Sequence, residues 1–504
     1  MLGKVLVANR GEIAVRVLRA CRELSIPSVA VYSDADRHSL HTRLADEAVH
    51  IGPAAALQSY LSIDNILQAA RLTHATAVHP GYGFLSENAC FAQAVVDAGL
   101  IFIGPSPEAM RAMGDKAQAR QRMEEAGVPV APGCQGLDDL DALRTSAARL
   151  GYPVLVKAAS GGGGKGMRVI STEAEFLDAA QAARREALHA FGDQRLILEK
   201  FIQPAHHVEI QVLGDQYGSV IHLFERECSV QRRHQKIIEE TPSPHLDPAL
   251  RERMGAAAVA VARAVGYHNA GTVEFILDPL SGQFFFLEMN TRLQVEHPIT
   301  ELVTGVDLVH WQLRLAAGEP LALRQEQLTQ RGHAIECRLY AEDPANGFLP
   351  TAGHLLRFIE PAGPGVRVDS GITSGDEIPV HYDPLVAKIS VLAGDRPSAV
   401  RRMQAALQQT VLLGLANNAR FLAEVLTHPD FLAGKVHTTW IEQNFASWQP
   451  PECDPPPEVL VAAALAQFSF PAPASGIQTV PGIDPYSPWR SSPGFRPGAA
   501  AERK

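Results

Sequence analysis

The sequence has few cysteines and no Cys-x-x-Cys pair among them: its six stand singly along the chain. That excludes a disulfide framework and a structural zinc site, and it suits a reducing cytosol, so a cytoplasmic location is expected. No apolar stretch is long enough to span a bilayer. The opening residues, MLGKVLVANRGEIAVRV, break their apolar run with charge and glycine at once, unlike a signal peptide. Positive charge is not in excess. A formal net charge of -10 disfavours nonspecific nucleic-acid binding but leaves room for a local basic pocket that takes an anionic substrate. No nucleic-acid and no membrane partner is therefore expected. The first strand–helix turn lacks GxGxxG, so a Rossmann-type oxidoreductase has no support. What remains is an ordinary globular composition, 46% hydrophobic and 20% charged over 504 residues, enough for about three domains.

Strand and helix signals alternate from the start. KVLVAN, a helix through Ile13, Val17, Leu18 and Cys21, and PSVAVYS make a βαβ opening. Further units follow to about Pro105, which predicts a doubly wound parallel sheet. HPGYGFLSEN, holding Tyr82, falls between a strand and a helix, where such sheets bind ligands; a plain turn is the equal alternative. From Ser106 to Pro132 the pattern is helical and carries Lys116. Two β-rich runs then flank four glycines in YPVLVKAASGGGGKGMRVI. The loop leads into a strand, not a helix, and Lys165 is followed by Gly166, so it is neither a dinucleotide nor a Walker A loop. A glycine-rich hairpin loop fits better. It can close backbone N–H groups over phosphates, with Lys157 at its base.

The densest chemistry lies in FFFLEMNTRLQVEHP, Phe284 to Pro298. As a strand it puts Glu288, Asn290 and Arg292 on one face and sends Phe285, Leu287 and Met289 into a core. So many charges at the end of a buried strand must meet a metal, a ligand or each other. The preceding run AGTVEFILDPLSGQ forms a hairpin with it and sets Glu274 opposite Glu288. Two close carboxylates repel unless a divalent cation lies between them, and hard oxygen ligands favour Mg²⁺, with Mn²⁺ as a substitute. The basic run SVQRRHQKIIEE, with Gln231, His234 and Lys236, reads as a solvated face or as a partner to this acidic cluster. Residue chemistry alone thus points to an ATP–Mg ligase. The C-terminal part reads as a β-rich domain with a covering helix at Arg396–Gln409. A Pro-rich shift after about Trp448 reads as a linker and a largely disordered tail, with one short helix at EVLVAAALAQF.

Together, ANRGEIAVR, HPGYGFLSEN, KAASGGGGKGMR, HHVEIQV, ERECSVQRRHQKIIEE, EMNTRLQVEHPITE and GHAIECRLYAED resemble the biotin carboxylase family of ATP-grasp enzymes over about residues 1 to 446. The resemblance implies an α/β fold, α+β in part. It implies an N-terminal domain at 1–114, an ATP-grasp domain at 115–322 with a mobile lid at about 131–203, a C-terminal domain at 333–446 and a tail at 449–504. It puts Lys116, Lys157, Gly163, Gly164 and His234 at the ATP phosphates. Glu199, Lys200, Phe201 and Ile202 become the adenine hinge, and His207 with Gln231 reaches the ribose. Glu274, Glu288 and Asn290 hold two Mg²⁺ or Mn²⁺ ions. Lys236, Arg292, Gln294 and Val295 hold bicarbonate, and Glu296 is its general base. Tyr82 and Arg338 lie by the biotin ureido group. The implied reaction passes through carboxyphosphate and carboxylates biotin, as the first half-reaction of an acyl-CoA carboxylase, expected to be acetyl-CoA. Expected partners are a biotin carboxyl carrier protein, carboxyltransferase subunits and a second copy as a homodimer. No Ala-Met-Lys-Met sequence occurs, so biotin is expected on a separate protein. A faint likeness of the tail to longer acyl-CoA carboxylase α subunits (propionyl or methylcrotonyl type) keeps that type open, as does another ATP-grasp ligase.

Overall fold

The computed structural model describes residues 2–135, 139–159, 167–451 and 454–469. The expectations for Gly163 and Gly164, and for the tail beyond residue 469, lie outside them. Two units separate, Met1–Gln449 and Pro450–Lys504. The described part of the second is chiefly a helix, Pro457–Ser469, where the short tail helix is predicted. Among the described residues no helix is long and apolar enough to cross a membrane. The five described cysteines are all free.

The first unit opens with strands β1 (Val5–Val7), β2 (Ser28–Ser33), β3 (Glu47–Gly52), β4 (Ala77–His79) and β5 (Ile101–Phe102). They form a parallel sheet in the order β3-β2-β1-β4-β5, as the βαβ rhythm predicts. Chain order reverses between β1 and β4, so the loops after these two strands meet at one point. Asn9, after β1, donates from Nδ2 to the carbonyls of Pro80 (2.7 Å) and Tyr82 (2.8 Å), after β4. Gly81 sits at φ +64, and a Cβ there would lie 2.7 Å from Asn9 Nδ2. Only glycine combines that backbone with that contact.

Arg10 leads into helix α1 (Gly11–Glu23) and holds Asp36 in two bonds, at 2.6 and 2.7 Å. Tyr60 donates to the same carboxylate at 2.7 Å. Burial alone would raise the Asp36 pKa, but Arg10 brings it from 3.8 down to about 2. Its stabilisation is therefore complete above pH 4 and is lost as pH falls toward the folded value. Asp36→Asn is expected to cost roughly 3 kcal/mol at neutral pH, the usual cost of breaking a buried pair. Urea midpoints at pH 7, 4.5 and 3 should show that deficit shrinking at the acid end. A deficit constant across pH would rule out the ionic clasp.

Two features lie outside the sequence expectation. The helical stretch after Ser106 is two helices, Pro107–Gly114 and Lys116–Glu125. Asp115 leaves helical geometry between them and caps the second, its carboxylate accepting from Ala117 and Gln118 N–H. That break makes Lys116 the first residue of a helix. The C-terminal strands, in turn, are divided: several pair in three two-stranded sheets, and the longest join the central sheet. Strands β10 (His206–Gly214), β11 (Val220–Arg232), β12 (Gln235–Thr241), β13 (Asn269–Leu277), β14 (Phe284–Asn290) and β15 (His333–Tyr340) join Leu385–Ala393 and Val366–Ser370 in one sheet. Its order is β14-β13-β10-β11-β12-β15, then those two strands. Ile238 facing Cys337 and Glu240 facing Ile335 make the junction. A separate four-stranded sheet is built from β6 (Gly133–Cys134), β7 (Val154–Ala158), β8 (Arg168–Ile170) and β9 (Leu196–Lys200).

The β13–β14 hairpin forms as predicted, with Glu274 opposite Glu288. The apolar half of β14 does not follow simple alternation. Register shifts beside Glu274, so Phe275 faces Phe286. Phe284, Phe286 and Met289 fill the core, and Phe285 and Leu287 are only half-buried. One extra residue in a strand reverses the facing of all that precede it.

Candidate active site

The basic run is the tip of the β11–β12 hairpin, solvated at its turn and turned inward at Gln231 and Lys236. Arg233 and His234 take the two left-handed turn positions, at φ 47 and 66, and are exposed. This is the tight turn that suits a twisted hairpin. Register then sets Gln231 against Lys236 and carries both toward the sheet interior.

Lys236 is the centre of the cluster. Its ammonium donates to Glu209, to Glu274 (2.9 Å) and to Glu296 (2.7 Å). Glu274 also accepts from His207 (2.9 Å), Asn290 (2.9 Å) and Gln294 (3.4 Å). Glu288 accepts from Lys116 at 2.7 Å. Arg292 bonds Glu87 at 2.9 Å, Asn290 Oδ1 at 3.0 Å and Gln294 Oε1 at 2.9 Å. Glu296 is fully buried between Lys236 and Arg338, the latter at 3.0 Å. Arg338 also bonds Glu239 at 2.6 Å. The carbonyl of Val295 accepts from Lys388 at 2.7 Å. Tyr82 donates to Glu12.

The charges of the Phe284–Pro298 stretch thus meet partners from elsewhere in the chain: Glu288 meets Lys116, Arg292 meets Glu87, and Glu296 meets Lys236 and Arg338. Burial would raise Glu274, Glu296 and Glu239; the cations decide the outcome. Lys236 and His207 hold Glu274 far below the carboxylate range. Lys236, Arg338 and Arg226 hold Glu296 well below it. Glu239, where burial outweighs Arg338, rises to about 7.

The nucleotide-side residues form a second group. Lys157 is buried and pairs with Glu199 at 2.7 Å, while Arg120 holds the other oxygen of that carboxylate at 3.1 Å. Lys200 turns its amine to the Gly151 carbonyl at 2.6 Å. The N–H groups of Lys200 and Phe201 bond the carbonyls of Pro132 and Pro153. Ile202 follows β9 at half-buried depth. The structure thus brings Lys236, Glu274, Glu288, Asn290, Arg292, Gln294, Glu296, Arg338, His207 and Lys116 into one network. Lys157, Glu199 and Lys200 lie together beside β7 and β9, and His234 lies at the exposed hairpin turn.

The hard oxygens of Glu274 and Glu288, with the Asn290 amide between them and Arg292, fit a divalent cation of the Mg²⁺ kind. In the structure the negative charge of the two carboxylates is balanced by Lys236, His207 and Lys116.

Several residues were missed by reasoning from sequence. Glu209 is fully buried and pairs with Arg226, which is also fully buried. Alternation along HHVEIQV offers its signal, since His207, Glu209 and Gln211 share one face. Glu209 also lies opposite Glu274 in the β10–β13 ladder. Glu12, Glu87, Glu239 and Lys388 had no local signal.

Paired carboxylates, a cluster of lysines and arginines, and a four-stranded sheet beside an eight-stranded one suit a nucleotide-dependent ligase site of the ATP-grasp type. Family descriptions match in three blocks: biotin carboxylase, N-terminal domain (residues 1–110), carbamoyl-phosphate synthase L chain, ATP binding domain (115–324) and biotin carboxylase C-terminal domain (336–443). A biotin carboxylase of Nostoc sp. is 52% identical over 441 residues, 87% of this chain and 98% of that one. The mitochondrial methylcrotonoyl-CoA carboxylase subunit alpha of Mus musculus is 49% identical over 495 residues, 98% of this chain and 69% of that protein. The crystal structure of a biotin carboxylase–β,γ-ATP complex from Campylobacter jejuni superposes with a TM-score of 0.86 at 43% identity, covering 88% of this chain and 99% of that one. The biotin carboxylase domain dimer of Hydrogenobacter thermophilus 2-oxoglutarate carboxylase, solved with MgADP, ADP and bicarbonate, also gives 0.86, at 46% identity over 90% of this chain and all of that one. The chain belongs to the biotin carboxylase family of ATP-grasp ligases.

Proposed function

We propose that the protein carboxylates biotin borne on a carrier protein, using ATP and bicarbonate, as the first half-reaction of an acyl-CoA carboxylase. The observation that carries this is Glu296, buried and hydrogen-bonded to both Lys236 and Arg338 at the end of a hairpin with paired carboxylates. Lys236 and Arg292 orient the bicarbonate anion, with Gln294 and the Val295 backbone closing its pocket. Glu296 takes the proton of bicarbonate as it attacks the γ-phosphate. Lys116, Lys157, His234, Gly163 and Gly164 serve the ATP phosphates. Glu274, Glu288 and Asn290 would hold Mg²⁺, which neutralises charge on the phosphoryl oxygens when bound. Arg338 stabilises the biotin enolate beside Tyr82. His207 and Gln231 serve the ribose, and residues 199–202 the adenine. Carboxyltransferase subunits and a homodimer complete the assembly; the dimer reading is supported by the Hydrogenobacter domain dimer.

A specific observation bears on the acyl-CoA. The match to the mouse methylcrotonoyl-type subunit runs over 495 residues, against 441 for the Nostoc biotin carboxylase. The tail therefore has counterparts in the α subunits of mouse, rat and Dictyostelium discoideum, whereas the Arabidopsis thaliana subunit matches over only 443 residues. That favours an α-subunit-like component of a methylcrotonyl-type carboxylase over the acetyl-CoA assignment.

The test is ADP release with bicarbonate, with and without free biotin. Bicarbonate-dependent release that rises severalfold with biotin is expected. Turnover indifferent to biotin would sink the acceptor assignment.

A further inference from the structure

Lys388 is a buried cation that the proposed reaction leaves without a task. It lies on the strand Leu385–Ala393, and its side chain is 0% exposed. It faces Arg338 in one ladder and Asp369 in the other. Two cations directly opposite each other in a buried sheet are unfavourable. Neutral residues would pack there more cheaply, so the position calls for an explanation.

Its contacts supply one. The ammonium donates to the Val295 carbonyl at 2.7 Å and lies 3.3 Å from Glu12 Oε1. The same Glu12 oxygen accepts from the Tyr82 hydroxyl. The Tyr82 ring lies 6.0 Å from the ammonium. One side chain thus grips the backbone next to Glu296 and, through the first turn of α1, the phenol held out from the loop after β4.

We propose that Lys388 is a positioning residue with two branches: its bond to Val295 fixes the bicarbonate pocket and the Glu296 carboxylate, and its pairing with Glu12 fixes Tyr82 at the biotin pocket. The inference rests on the reading given under Proposed function, and it assigns Lys388 and Glu12 roles through other residues, not on reacting atoms. It also explains why a lysine is kept at this depth. A three-donor ammonium can serve a carbonyl and a carboxylate at once, which no apolar residue can do.

The branches are separable. Lys388→Met is expected to raise KM about tenfold for both bicarbonate and biotin, with ATP affinity unchanged. Glu12→Gln is expected to raise KM for biotin alone. Should Lys388→Met fail to fold, Lys388→Met/Glu12→Gln removes both charges of the pair and still lacks the Val295 bond. Hydrogen exchange gives a readout independent of activity. The peptide spanning residues 292–298 should exchange at least tenfold faster in the Lys388 variant, and the β13–β14 hairpin should not. A wild-type protein inactive with biotin, combined with that exchange pattern, would overturn the functional reading and leave the positioning role standing. Unchanged exchange at 292–298, or a loss shared equally by ATP, bicarbonate and biotin, would overturn the positioning role.

Discussion

Glu296→Gln is expected to lower bicarbonate-dependent ADP release by about 10³-fold, the scale of a lost general base, while ATP still binds. The substitution keeps shape and one acceptor oxygen, so the pocket need not collapse. The nucleotide-side contacts of Lys116 and Lys157 run to Glu288 and Glu199 instead, which predicts an unchanged dissociation constant for ATP. The physical case is in the charge arrangement. Burial would protonate Glu296, but Lys236, Arg338 and Arg226 hold it well below the ordinary carboxylate value. It is therefore deprotonated across the neutral range and able to accept a proton. Lys236, which lowers its basicity, is also the cation proposed for bicarbonate. When the anion takes that lysine's N–H groups, its hold on Glu296 loosens and the carboxylate becomes a stronger base. Steady-state ADP release and calorimetric ATP binding check this together. A variant that keeps more than a tenth of wild-type turnover would end the base assignment.

What sequence reading recovered followed the range of the interactions. The parallel sheet and the Glu274–Glu288 pair were legible because each depends on alternation within a few residues. The bulge in β14 was not, because a single extra residue leaves no mark on composition. The break at Asp115 had a signal, an acid after glycine in GDK, but a continuous helical pattern masked it. The long-range members were out of reach. Glu12 meets Lys388 across most of the chain, and Arg292 meets Glu87 from the loop after β4. No local period encodes such pairs. The sequence likewise gave no hint that the C-terminal strands extend the ATP-grasp sheet, because edge pairing between β12 and β15 uses backbone groups that every residue carries.

Lys236→Met is expected to remove turnover on the same scale, about 10³-fold, and also to weaken the fold by about 3 kcal/mol. Three buried carboxylates, Glu209, Glu274 and Glu296, share this one ammonium. Each keeps a second partner without it: Arg226, His207 and Arg338. Charge balance is nevertheless lost at the point where all three converge, and burial makes that loss costly. The stability and catalytic effects have different origins, and a second substitution separates them. Glu209→Gln removes one surplus negative charge but supplies nothing that can hold an anionic substrate. The double variant Lys236→Met/Glu209→Gln should therefore regain much of the unfolding free energy while turnover stays lost. Chemical denaturation and ADP release on both variants decide the matter. If turnover returns with the second substitution, Lys236 is a counter-charge for the carboxylates and has no direct part in holding bicarbonate.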